Sequence, residues 1–154
     1  ADIPMPALVG NRDVRSYLSA DVKQWMDSRK VAIEVAERGY LRILRIEPEP
    51  PPQWSVAAAE AVGRMWADFA AELQASPVAG TDQLAEMPTR RARAAYETCL
   101  RYVLKMQHFD ERAARCNSWL TDNAPLIHHP LDELVPSLRD GGPPMQFQPL
   151  PESP

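Results

Sequence analysis

The side chains able to do chemistry in this chain are few. His108 and Glu111 stand three apart, with Asp110 between them and Cys116 nearby, a set that can ligate a metal. A carboxylate-bridged metal pair in a helical bundle draws Glu-x-x-His from two helices and two further carboxylates. Here the order is reversed and occurs once, so a solvated polar face is the expectation. His128 and His129 are adjacent and would point apart on a helix. With Pro130, Asp132 and Glu133 following, they read as a surface loop entering a helix start. No Gly-x-Ser-x-Gly elbow and no glycine-rich phosphate loop is present. Cys99 and Cys116 fall on apolar positions, where a thiol behaves as a small hydrophobe. No catalytic residue, cofactor site or metal ligand is assigned, and the chain is expected not to be an enzyme.

The basic residues carry more. Arg90, Arg91, Arg93, Arg101 and Lys105 line one side of a helical stretch. Glu97 lies four from both Arg93 and Arg101, the spacing of ordinary intrahelical ion pairs. Arg90 and Arg91, however, stand near a helix N-terminus, where cations are disfavoured unless something anionic waits there. The stripe therefore supports a second expectation, a helical subunit that binds nucleic acid or another polyanion.

These side chains need elements to position them. From Pro88 to Leu120 the apolar residues Ala92, Tyr96, Cys99, Val103, Met106, Phe109, Ala113, Cys116 and Leu120 recur at steps of three and four, with no internal Pro or Gly. That pattern predicts one long helix with a single greasy seam. On one continuous helix the two cysteines would lie about 25 Å apart at 1.5 Å per residue, beyond disulfide reach. A second pattern, Val14, Leu18, Val22, Trp25, Ala32 and Ala36 with a polar gap at Arg29, predicts a helix or a bent pair, with Asn11 or Ser19 as a cap and Gly39 just past the C-terminus. Tyr40–Ile46 reads either as a continuation of that region or as a short β element, paired with Lys30–Val35 in a hairpin. A lone strand there, through Tyr40, Leu41 and Ile43, would invite another subunit.

The segment 47–53 (EPEPPPQ) predicts a stiff polyproline spacer. A helix follows, capped by Ser55, with Ala58, Val62, Met65, Trp66, Phe69 and Leu73 on one face. Gly63 inside it implies close helix–helix approach. Ser76–Gly80 reads as a turn, 81–87 as a short helix stopped by Pro88, and 126–139 as one or two short helical turns. Asn123 and Pro125 end the long helix. All four tryptophans belong to the core or to a subunit interface.

The whole is expected to be mainly α: three to four principal helices in a bundle-like array. An extended arm over 1–10 precedes a helical domain over 11–140, and a Pro-rich C-terminal arm runs over 141–154. In that last arm Met145, Phe147 and Leu150 alternate with polar or proline residues, the look of a strap laid into a groove. The chain has 154 residues, 45% hydrophobic and 25% charged, with 16 prolines and a net charge of −4. Nothing global therefore draws it to nucleic acid or anionic lipid. Two cysteines are too few for a disulfide framework, and no apolar run is long enough to insert into a membrane. Ala1 can follow removal of an initiator methionine, so a natural start with no secretory signal is expected, in the cytoplasm or in a particle assembled in a reducing compartment. The expected function is a non-catalytic structural or assembly subunit. It would self-associate or dock into a larger complex such as a virion or multisubunit particle, through Met145, Phe147, Leu150, Tyr40, Leu41 and Ile43.

Overall fold

A computed structural model describes residues 4–7, 10, 13–76 and 80–131. Among them there are helices and no strands. The order is α1 (Val14–Ser16), a π-helical segment (Tyr17–Val22), α2 (Lys23–Ile43), α3 (Pro52–Gln74), α4 (Thr81–Leu84), α5 (Glu86–Met106) and α6 (Glu111–Asn123).

The hub is α3, which packs against α2, α5 and α6. Its apolar residues Val56, Trp66, Phe69 and Leu73 are fully buried. Trp25 of α2 meets Phe69 edge-on at 5.3 Å. The polar gap at Arg29 proves to be a buried position, its guanidinium paired with Glu72 at 2.7 Å. Such a pair fixes how α2 lies on α3, because either charge left alone there would be costly. Gly63 is where α5 comes closest: a Cβ added to it would stand 2.8 Å from the Tyr96 ring. The close approach implied by that glycine is thus present. At the N-terminus, the Tyr17 hydroxyl donates to the Pro6 carbonyl, and Met5 packs on the core.

Several expectations are corrected. The single helix over 88–120 is two helices in a hairpin. The chain leaves α5 at Gln107, in the left-handed region at φ 51°, and re-enters at Asp110, whose carboxylate accepts from the amides of Arg112 and Ala113 at 3.0 and 2.9 Å. Phe109 consequently falls outside the seam, 38% exposed, whereas Val103 is fully buried. The two cysteines then lie on facing helices and form a disulfide, with Cα atoms 6.5 Å apart. Pro88 does not stop a helix but occupies the first turn of α5, where its missing N–H has no intrahelical partner to lose. Ser55 does not cap α3. Pro51 precedes its first residue, and the buried Ser55 hydroxyl meets no hydrogen-bond partner among the described residues.

The short β element near 40–46 is also absent. Tyr40–Ile43 is the last turn of α2, which runs through Gly39. Ile33, Glu37, Tyr40 and Leu44 lie at steps of four, three and four, so the helical period bringing Ile33 to the core carries the chain past the glycine. The non-helical spacer is 45–51 rather than 47–53: Pro52 and Gln53 open α3, where a first-turn proline loses no hydrogen bond. Asn123 and Pro125 end α6 as expected, the Asn123 side chain donating to the Trp119 carbonyl. Of 126–139, only 126–131 are described: they make a turn followed by residues in no regular structure. Met145, Phe147 and Leu150 lie outside the described residues.

Candidate functional site

α2 and α5 both rest on α3, but no Cα of one comes within 8 Å of a Cα of the other. The gap between them is a groove with a hollow of about 180 Å³. Ala58, Ala59 and Val62 of α3 make its floor. Glu37, Tyr40, Leu41 and Leu44 form one wall, and Arg91, Ala94, Ala95 and Thr98 the other. The floor is nearly out of water, but the walls are not: Leu41 is 40% exposed, and Tyr40, Leu44 and Ala95 are half-buried. Ala58, Ala59, Ala94 and Ala95 leave the hollow open, and the one large α5 side chain at its edge, Arg91, lies over the Trp66 ring.

One end of the groove runs into a second depression, lined by Leu44–Pro50, Tyr102, Lys105 and Met106. Here the spacer is held to α5 by an ion pair, Lys105 to Glu49 at 2.6 Å. The hydrogen bond that Lys105 donates to the Glu49 carboxylate holds the pKa of its ammonium above the ordinary value. On the other flank of α2, Tyr40 and Ile43 face a wider hollow with Trp54, Arg64, Arg112 and Arg115. Tyr40 and Leu41 thus share the α2–α5 groove, whereas Ile43 looks the other way.

The basic stripe does not act as one unit. Arg93 pairs with Glu97 at 3.8 Å, and Lys105 is taken by Glu49. Arg91 lies 5.5 Å over the ring of Trp66, a cation–π contact inside the groove wall. Arg90 and Arg101 are exposed and have no carboxylate partner among the described residues.

The α5–α6 hairpin behind the groove is closed by apolar and polar contacts together. The Tyr96 ring stacks on Trp119 at 4.7 Å. Burial, with Glu60 beside it, pushes the Tyr96 phenol up to about 12. Glu60 is itself buried and accepts from Arg115 Nε at 3.1 Å. Burial works to raise the Asp110 carboxyl, but the amide of Ala113, the neighbouring His108 and Arg112 outweigh it and hold the group below its ordinary value. The buried Asn117 Oδ1 accepts from the Leu131 amide at 3.1 Å and lies 3.0 Å from His128 Nε2. Burial, with His129 adjacent, lowers the His128 imidazole. Of the residues weighed as ligands, Asp110 therefore caps α6 and His128 clamps against Asn117, while Asp132 and Glu133 lie outside the described residues. Among the described residues no three His, Cys, Asp or Glu side chains gather closely enough to hold a metal ion. No described helix is long and apolar enough to cross a membrane.

Sequence patterning named Ala58, Val62 and Arg91 without the gap they line, and it missed Ala59, Ala94, Ala95 and Thr98. The only signal was the alanine content of α3 and α5, which marks close packing without saying where a gap is left. Compared with known proteins, the chain matches no family model, and no curated protein and no solved structure is significantly similar to it.

Proposed function

We propose that this chain is a non-catalytic assembly subunit that docks into a larger complex, such as a virion or another multisubunit particle. Docking uses its apolar helix faces, the α2–α5 groove foremost, and a C-terminal arm anchored by Met145, Phe147 and Leu150. One observation supports the reading above others: Leu41, Tyr40, Leu44 and Ala95 stand over an apolar hollow that no described residue fills. Helix-in-groove docking takes this form, a large side chain of the partner entering a pocket between two helices. The Cys99–Cys116 bond supports placing that complex in a compartment where disulfides persist.

The test is the size of the chain in extract from its native source, as wild type and as Leu41→Asp. Leu41 is exposed enough that the fold tolerates the charge. Wild type is expected to migrate with a larger complex and Leu41→Asp as a single chain. Wild type migrating as a single chain would reject the reading. A second reading, a nucleic-acid-binding subunit using Arg90, Arg91, Arg93, Arg101 and Lys105, draws support from the unpartnered Arg90 and Arg101. It requires binding that weakens steeply with salt.

A further inference from the structure

We infer that the α2–α5 groove takes an acidic amphipathic helix of a partner protein. That helix inserts one Leu- or Phe-sized side chain into the hollow and lays carboxylates against Arg91 of the α5 wall and the arginines that adjoin the two walls in sequence. The inference rests on the docking reading and adds the partner's chemistry. Size supplies the first half of the argument. The hollow of about 180 Å³ is close to the apolar cavity of about 150 Å³ that holds a benzene ring, so it accepts one large apolar side chain and no more.

Charge supplies the second half. The chain carries a net −4, yet the groove's surroundings hold a surplus of uncommitted cations. Arg38, Arg45, Arg90 and Arg101 are exposed and meet no carboxylate among the described residues, and Arg91 has only the Trp66 ring. Of the nearby acids, Glu34 is engaged by Lys30 at 3.9 Å, Glu97 by Arg93 and Glu49 by Lys105. Glu37 in the α2 wall and Glu47 in the spacer meet no cation among the described residues, so the five arginines stand against two carboxylates. A phosphate backbone would meet the same arginines, but it has nothing to place over Ala58, Ala59 and Val62. An apolar floor with Arg91 in one wall and four further arginines one helical step or less from the wall residues selects a peptide with an apolar stripe and acidic flanks.

The experiment uses fluorescence anisotropy on the full chain with four probes. The first is a helical peptide of roughly 18 residues with a Leu/Phe stripe at helical spacing and Glu flanks. The second is the same peptide with Lys for Glu, the third a peptide of residues 132–154, and the fourth a single-stranded RNA of mixed sequence. The Glu peptide is expected to bind, more weakly as salt rises, and at least about tenfold more tightly than the Lys peptide. Leu41→Asp and Arg101→Glu should each weaken it by about tenfold, with the circular dichroism unchanged. Equal binding of the Lys peptide overturns the acidic chemistry and leaves docking standing. A silent Glu peptide overturns the inference alone if the chain still migrates in a complex in native extract, and both readings if it does not. RNA binding more tightly than the Glu peptide overturns it in favour of a polyanion site. Tighter binding by 132–154 makes the groove a site for the chain's own arm and overturns it equally.

Discussion

Two glycines lie inside long helices, and the same substitution should move stability in opposite directions at the two. In a helix interior Gly→Ala gains about 1 kcal/mol from backbone entropy and desolvation. At Gly39 a Cβ would meet nothing within 4 Å, so Gly39→Ala should keep that whole gain. At Gly63 the new Cβ would stand 2.8 Å from two carbons of the Tyr96 ring and 3.0 Å from a third. The ring is stacked on Trp119 and packed in the core, so relief requires α3 and α5 to separate. Overpacking of this kind costs about 1–3 kcal/mol, which exceeds the helical gain. A net loss of about 1 kcal/mol follows for Gly63→Ala, and a spread of about 2 kcal/mol between the two variants. Urea denaturation followed by helical circular dichroism reads both, and a change of 1 kcal/mol shifts Tm by about 2–4 °C in a chain of this size. In a Tyr96→Leu background the loss at Gly63 should shrink or reverse, which isolates the contact as a coupling energy. If Gly63→Ala stabilises as much as Gly39→Ala, α3 and α5 are not in the contact described.

The remaining predictions concern the hairpin and its clamps. Reduction of Cys99–Cys116 should lower stability by about 3 kcal/mol, the value for a loop near this length, read from the urea midpoint with and without reductant. Two titratable thiols in unreduced, unfolded protein would contradict the bond. Asp110→Ala should cost about 1 kcal/mol and speed amide exchange in the first turn of α6, whereas Asp110→Asn retains most of the cap; equal losses would show that capping is not its role. His128 has its folded value below the ordinary 6.5, so the unfolded chain takes up its proton first as pH falls. Its contribution is therefore full above pH 6.5 and declines below it, seen on acidification as a falling protection factor of the Leu131 amide, the intrinsic exchange rate at each pH divided by the observed one. A rising protection factor there would reverse the sign.

The sequence disclosed the helices better than their ends. Apolar spacing located α3 and both halves of the hairpin, and Gly63 marked the closest packing. The break between α5 and α6 was hidden because Val103, Met106, Phe109 and Ala113 keep helical spacing across it. Asp110 carried the missing signal: an N-cap residue followed by Glu111, which the ligand types around it masked. Once the break was missed, the cysteines seemed far apart, because distance along a rod says nothing about a hairpin. Arg29 looked like a defect in the α2 pattern, since its partner Glu72 is far along the chain. Tyr40 and Leu41 were legible as apolar residues in need of cover. The groove they line was not, because it is made by two helices failing to meet, and helical spacing records faces rather than gaps.

The central claim is that another polypeptide covers the α2–α5 groove, and a photo-crosslinking side chain placed at Leu41 in the native source tests it most directly. Asp27, exposed on α2, serves as the control position. The account predicts an efficient crosslink from position 41 to an apolar residue flanked by acids on a separate polypeptide, and none above background from position 27. Crosslinks from position 41 that map only within the same chain, or that match the control, would contradict it.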